Sequence, residues 1–549
     1  MKEHLARLQD PNPYVRREAA WDLGAMGKAA ATPEVIEALV QRLREDKDEA
    51  VRWEAAWALG KMGKAAATPE VIGDLAQCLR KDEDIRMAAA GALGMMGEAA
   101  ATPEVLGALV ERLLRDKAWV VRRAAADALG RMGKAAARPE VLRSLVQCLR
   151  EDEVGEVRWE AARALGEMGE AAATPEVLGA LVQCLREDKD RDVRSGAAGA
   201  LGRMGKAAAT PEVLGALIQR LREDKDGQVR GVAAGALGKM GEAAAQPEVL
   251  EALIQALRDR DSDVYQAAAE ALGRMGKAAA TPKVLGALIQ RLREDEVWGV
   301  RREAAWALGV MGAAAATPKV LQALVERLLR DEAGGVRGAA GLALGQMGAA
   351  AATQEVIQAL SQCLRKDGNK SVRREAAWAL GRMGAAAAQK EVLQALGQAL
   401  RDRDPDVRSE AAEALRQLFQ AHPEALRDFL CTLTVPMTPR KTQTLKDVLR
   451  AHPGAVPALR ALLSDPDPKV RARAVRALGA LGPAAATPEI IRDLLTRRLD
   501  KAPTVRTAAL EVLRKLPVSP ETISAVLRDI RGDEPEAAEA TAWALERLG

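Results

Sequence analysis

Three histidines, at positions 4, 422 and 452, are the only side chains whose ordinary charge change lies near neutral pH in a chain of 549 residues. Acid–base or nucleophilic catalysis needs an acid, a base and a nucleophile converging on one point. His422 and His452 each precede Pro in an Ala-His-Pro phrase ahead of a helix, which reads as polar placement at a helix end. No Cys-x-x-Cys or Cys/His cluster offers a metal ligand set, and no GxxxxGK[ST] follows a strand. Carboxylates recur at every repeat turn, as a structural device would, whereas a catalytic pair is expected once. The sequence therefore predicts no catalytic residue, no metal and no cofactor, and a protein that is not an enzyme.

Trp and Arg, the types that dominate interface hot spots, are placed by rule. Most repeats carry the phrase Val-Arg-x-x-Ala-Ala. On a helix anchored at that Val, the second and sixth residues after it fall opposite the buried arc. The first slot reads Arg17, Trp53, Arg123, Trp159, Ser195, Gly231, Gln266, Arg302, Gly338 and Arg374. The second reads Trp21, Trp57, Asp127, Arg163, Gly199, Gly235, Glu270, Trp306, Leu342 and Trp378. Stacked repeat on repeat, these residues form two parallel rows expected to bind a protein or peptide. Trp21, Trp53 and Trp57 make one anchor, Trp306 and Trp378 another, with Arg123, Asp127, Trp159 and Arg163 on the same face. Ser195, Gly199, Gly231 and Gly235 leave a flat or recessed floor between them. The competing structural reading lays each Trp across the groove onto neighbouring helices to shield Ala.

Two further sets stand beside these rows. Trp119 and Trp298 read as turn residues that make edge contacts. Lys61, Arg131, Arg203, Lys239 and Arg274, late in their helices, read as charges that complement the helix dipole or as a basic edge of the groove. With Lys64, Lys134, Lys206 and Lys277 three residues further on they form one basic set, which Glu98, Glu167, Glu170 and Glu242 interrupt and which fades where Ala313, Ala349 and Ala385 take the last of these slots.

The slots exist because the chain repeats. The first glycine of LGxMG recurs at Gly24, Gly60, Gly94, Gly130, Gly166, Gly202, Gly238, Gly273, Gly309, Gly345 and Gly381, about every 36 residues. Such a period marks stacked repeats, with no single central pocket. In one unit Thr210 caps a helix A over 211–222, Val213, Leu214, Leu217, Ile218 and Leu221 form its apolar stripe, and 223–228 is a polar turn. Helix B follows from Val229, with Gly238 and Gly241 loosening its end. Aromatic content of 2% and the abundance of Ala and Leu predict an all-α chain of about sixteen helix pairs, the first with a short helix A at about 2–9. The regular array covers 1–416. A degenerate pair at 417–463, holding Phe419 and Phe429, is expected to bend the stack, and repeats resume over 464–549.

Charge and cysteines narrow the classes further. A formal charge of +4, from 81 basic and 77 acidic residues, gives no global case for nucleic acid. No apolar run approaches a membrane span and the start lacks an apolar signal core, which predicts a cytoplasmic chain. Cys78, Cys148, Cys184 and Cys363 share one slot and are expected as free thiols. The last helix offers Ala537, Ala538, Trp543, Leu545 and Leu548 without an obvious cover, as in a chain that continues or packs on another subunit.

The recurring phrase Asp…Val-Arg-x-x-Ala-Ala-x-Ala-Leu-Gly resembles the HEAT family, closest to the bacterial HEAT-like type named for phycobilin lyases. The resemblance implies a right-handed superhelix, an α-solenoid, with helix A convex and helix B lining the concave side. It also implies a ladder of turn Asp and helix-B Arg between adjacent repeats, including Asp46 with Arg52, Asp116 with Arg122, Asp188 with Arg194, Asp295 with Arg301 and Asp367 with Arg373. Tyr265 replaces the Arg once, which should weaken the ladder there. Similar arrays act as ligand-sensing regions of NACHT-type signalling NTPases and as the grooves of HEAT-like DNA glycosylases. A sensor or adaptor part and a nucleic-acid binder are thus the alternatives to a scaffold.

Overall fold

Thr-Pro-Glu, which opens helix A in six repeats, recurs because each residue satisfies one need of a helix start. Thr210 Oγ1 accepts the Val213 N–H at 3.4 Å, Pro211 takes the first helical position, and Glu212 meets the positive end of the dipole. Helix A then runs Pro211–Glu223 and buries Val213, Leu214, Ala216, Leu217 and Leu221. Helix B runs Gly227–Lys239, starting before the Val229 expected from sequence. Asp226 caps it by accepting the Gln228 N–H at 2.9 Å. The same early start corrects the placement of Trp119 and Trp298. They are not turn residues but the first residues of helices Trp119–Arg131 and Trp298–Val310.

The computed structural model describes residues 1–422, 424–432 and 455–529, with 538, 541–544 and 546 beyond them. All regular structure among the described residues is helical, and helix pairs follow one another as an α-solenoid. The first helix spans Lys2–Arg7. Two compact units divide the chain, Met1–Val284 and Leu285–Gly549, so the division falls inside the stretch 1–416.

The two glycines of LGxMG do not loosen the helix end; each has a definite task. The first marks the closest approach of successive helices B. A Cβ at Gly202 would lie 2.8 Å from Ala236 Cα, and one at Gly238 would lie 2.6 Å from Ala271 Cα. The second reverses the chain: Gly241 has a φ of 61°, which residues with a Cβ adopt only at a cost. A single 3-10 turn follows, Gly205–Ala208 in the preceding repeat, and its last Ala is buried. On helix A, by contrast, a Cβ at Gly179, Gly215 or Gly286 would meet nothing within 4 Å. In each unit row B is the crowded row.

The Arg–Asp ladder is present, with its carboxylate partner one repeat beyond the expected one. Arg52 Nη1 donates to the carbonyl oxygen of Asp46 at 3.1 Å, while its Nε reaches the carboxylate of Asp82 at 2.9 Å. Asp46 gives its own carboxylate to Arg16 at 2.7 Å. Arg194 repeats the pattern, donating to Asp188 O at 3.0 Å and forking onto Asp224 at 2.8 and 3.0 Å. Where Tyr265 stands in the Arg slot the ring is buried. The next turn carboxylate, Asp295, draws Arg291 of its own repeat to 3.1 Å, closer than the 3.5 Å that Arg42 keeps from Asp46. Burial alone would raise the Asp188 and Asp224 carboxyls, but Arg158 and Arg194 with backbone N–H donors outweigh it and hold them below the ordinary value.

Of the stretch 417–463, the end of helix Pro405–Ala421 and helices Ala425–Thr432 and Ala455–Leu462 are described. His452 and the Val-Pro-Met-Thr-Pro run lie outside the described residues. Phe419 and Phe429 are fully buried, ring against ring at 5.5 Å. Trp543, expected without cover, is 1% exposed and donates its indole N–H to Leu513 O at 3.5 Å. Ala538 is exposed; Ala537, Leu545 and Leu548 lie outside the described residues. Cys78, Cys148, Cys184 and Cys363 are free. Burial pushes the Cys78 thiol up to about 11 and the Cys148 thiol to about 12, so both stay protonated at neutral pH.

These contacts predict two stability outcomes. Arg194→Ala strands the buried Asp224 carboxylate and should cost about 3 kcal/mol in denaturant unfolding. Arg194→Lys should recover only part, because an ammonium cannot make the fork. Because the folded carboxyls sit below their unfolded value, the rungs contribute fully above about pH 4 and lose that contribution as pH falls through the lowered values. Melting temperature should therefore drop on acidification, and the gap between wild type and Arg194→Ala should narrow. Gly202→Ala should destabilise by about 1–3 kcal/mol through overpacking. Gly215→Ala, in open space on helix A, should stabilise by about 0.5–1 kcal/mol; equal effects at the two sites would remove close approach as the cause.

Candidate binding site on the helix-B face

Four successive helices B, Glu49–Met62, Arg86–Met96, Trp119–Arg131 and Gly155–Glu167, lay their second and sixth slots side by side. The result is a recess of about 560 Å³. Trp53 and Trp57 line it from the first helix, Met87 and Gly91 from the second, Arg123, Asp127 and Arg131 from the third, and Trp159, Glu160 and Arg163 from the fourth. Trp53 and Trp57, one turn apart, stack at 5.6 Å with 17° between their planes. Trp53 also lines a neighbouring recess with Tyr14, Arg17 and Trp21, where Trp21 is 59% exposed.

Both readings of the tryptophans find geometry in their favour. Trp57, Trp159 and Trp378 are half-buried, because glycines on the next or preceding helix B receive one side of each ring. A Cβ at Gly91 would come within 3.4 Å of Trp57, one at Gly196 within 2.8 Å of Trp159, and one at Gly345 within 2.4 Å of Trp378. The rest of the ring stays accessible. Cations from one helical turn on cover several ring faces: Lys61 over Trp57 at 5.2 Å, Arg123 over Trp119 at 5.9 Å, Arg163 over Trp159 at 5.8 Å and Arg382 over Trp378 at 5.9 Å.

The carboxylates of the recess are already engaged. Arg163 Nε donates to Glu160 at 2.6 Å, and its two Nη atoms reach Asp127 and Glu167. Asp127 also accepts from Arg131 Nε at 2.8 Å. Burial pushes the Glu160 carboxyl above its ordinary value although Arg163 works against it. No carboxylate pairs with Arg123 or Lys61 among the described residues, and both are exposed.

In the second unit Trp306 lines a smaller recess of about 320 Å³ with Arg302, Glu303, Gly338 and Leu342. Trp378 lies against Gly345 instead. Ser195 and Gly231 are buried in the expected floor of the first unit. Of the expected basic edge, Arg131 and Arg274 pair with Asp127 and Glu270, and Lys61 covers Trp57. Arg203 lays its guanidinium against the notch at Gly166, and Lys239 runs its stem past the one at Gly202. All five are exposed.

Met87, Ala88, Gly91, Ala124 and Glu160 line the recess without having been singled out from sequence. Met87 and Gly91 occupy the same two slots in a repeat whose Val is replaced by Ile85 and whose spacing is short, so that counting from Val passes over them. Glu160 sits three residues after Val157, as Glu54 does after Val51. In both places the phrase reads Val-Arg-Trp-Glu-Ala-Ala, and both glutamates are buried. The co-occurrence of Glu with a large residue three positions later was the available signal.

A family profile described as HEAT repeats matches residues 1–94, 72–166, 106–201, 142–237, 214–309, 285–361, 357–433 and 456–549. No curated protein sequence matches. Among solved structures, importin beta in an ammonium sulfate condition aligns with a TM-score of 0.49 at 17% identity, covering 100% of this chain and 89% of that one. A Kap95p structure titled for its binding of RanGDP gives 0.49 at 15%, covering 100% and 87%. The Kap95:Nup1 complex gives 0.48 at 15%, covering 100% and 86%. With the family profile matched in overlapping windows along nearly its whole length, this chain belongs to the HEAT-repeat proteins.

Proposed function

We propose that the chain is a non-enzymatic scaffold that binds a protein or peptide along its helix-B face, with the Trp53–Trp57–Trp159 recess as the principal anchor. The observation that carries this reading is the convergence of three half-buried tryptophans and three arginines from consecutive helices onto one open recess. Aromatic and Arg side chains held in place by neighbours bring contact area at low ordering cost. Core slots repeat almost unchanged while the two helix-B face slots vary, as expected where the backbone is generic and the face specific.

The basic edge favours this reading over a nucleic-acid groove. Two of its cations are spent on neighbouring carboxylates, and glutamates interrupt the row, so a continuous phosphate track is not built. A sensor or adaptor role beside a signalling NTPase would use the same face and differs only in what the chain is joined to. No helix among the described residues is long and apolar enough to cross a membrane.

Affinity capture from the native host tests the proposal. Trp53→Ala/Trp57→Ala should lower retention of the partner by roughly tenfold or more, while the melting temperature shifts little, since both rings are only half-buried. A large loss of stability with retention unchanged would return these rings to a purely structural role.

A further inference from the structure

The electrostatics of the Trp53–Trp57–Trp159 recess restrict what it can hold. An aromatic recess with two carboxylates would ordinarily suit a cation. Here that option is filled from within the chain. Lys61 and Arg163 already stand over Trp57 and Trp159 at 5.2 and 5.8 Å. Asp127 and Glu160 are held by Arg131 and Arg163 at 2.8 and 2.6 Å. A cationic ligand would have to displace these partners and leave a guanidinium with its carboxylates unmatched, at a cost it cannot recover from the same groups.

What the recess leaves unmatched has the opposite character. Trp53, Trp57, Met87 and Gly91 give an apolar wall and floor. Beside them stand two exposed cations in no contact ion pair among the described residues: Arg123, which lines the recess and whose charge reaches only across it to Glu160, and Lys61, above the Trp57 ring. Apolar surface flanked by unmatched cations complements an apolar or aromatic side chain flanked by carboxylates. Resting on the groove reading above, we infer that the recess takes an acidic peptide segment carrying an aromatic residue, with the ring against Trp53 and Met87 and the flanking carboxylates on Arg123 and Lys61.

The probe is a fluorescein-labelled peptide of sequence Glu-Asp-Phe-Asp-Glu, titrated with the full chain and followed by anisotropy. Its counterparts are the same peptide with Phe replaced by Ala, and Lys-Arg-Phe-Arg-Lys. The acidic Phe peptide should bind saturably. The Ala peptide, and separately the variants Arg123→Glu and Trp53→Ala, should each weaken binding roughly tenfold or more. The basic peptide should bind far more weakly, and added salt should weaken the acidic complex. Arg123 is exposed, so Arg123→Glu should leave the melting temperature near wild type and keep the test readable even if Trp53→Ala is destabilised. Equal or tighter binding of the basic peptide, no saturable binding of the acidic one, or indifference to Arg123→Glu overturns the inference. If the acidic peptide fails while host capture still depends on Trp53 and Trp57, the ligand class is wrong and the groove reading stands. If capture is indifferent to those residues, both fall.

Discussion

Backbone contact between successive helices B is the constraint on which the remaining structure depends. At Gly202 and its equivalents the next helix passes so near that a single Cβ would overlap an Ala Cα. That spacing fixes the separation of repeats on one side of the stack to the smallest that two helices allow. Everything on the B face inherits it. Side chains in the same slot of neighbouring repeats stand close enough to share one recess, which is why residues from four helices line the Trp53–Trp57–Trp159 site. Row A carries no such backbone restriction: Gly73, Gly107, Gly179, Gly215 and Gly286 look into open space, and Gly397 meets only the Phe429 ring.

The Arg ladder secures this spacing from the turn side. In a full rung such as Arg194 the guanidinium spans two repeats, with one nitrogen on the carbonyl of its own turn and the others on the carboxylate of the next. The planar fork suits two acceptors in fixed positions, so a rung sets both distance and register. The turn Asp is used completely as well: one oxygen of Asp224 also accepts the Asp226 N–H at 3.1 Å, which shapes the entry into helix B. The acidic turn thus supplies one half of a part-buried ion pair.

Function and structure compete for the same side chains on this face. The tryptophan rings cover glycine notches on adjacent helices with one side and line open recesses with the other. Arginines that would otherwise be free to meet a partner, such as Arg131 and Arg163, are tied to Asp127 and Glu160. What remains for a ligand is the remainder of that internal accounting: apolar surface from Trp53 and Met87, and positive charge from Arg123 and Lys61. In the proposed reading, selectivity would rest on which groups the repeats leave unpaired, more than on the identity of the groups themselves.

The sequence alone determined the helical class, the helix-pair repeat and the free thiols, because each depends on periodicity and local chemistry that one repeat states completely; the two rows it expected on the exposed side of helix B are mostly half-buried, with Ser195, Gly231 and Gly338 buried. It also placed Trp53, Trp57, Arg123, Asp127, Trp159 and Arg163 on one helix face, but it grouped Trp53 and Trp57 with Trp21, whereas the recess joins them to Trp159. Tertiary structure decided what no single repeat contains: the partner of each ladder Arg in the following turn, the burial of Trp543 against Leu513, and the notch into which each ring settles. It also decided that Met87 and Gly91 complete the recess despite the irregular spacing around Ile85. These are contacts between residues about thirty positions apart, whose distances follow from how closely two backbones approach, and a periodic pattern encodes that approach only once the stack exists.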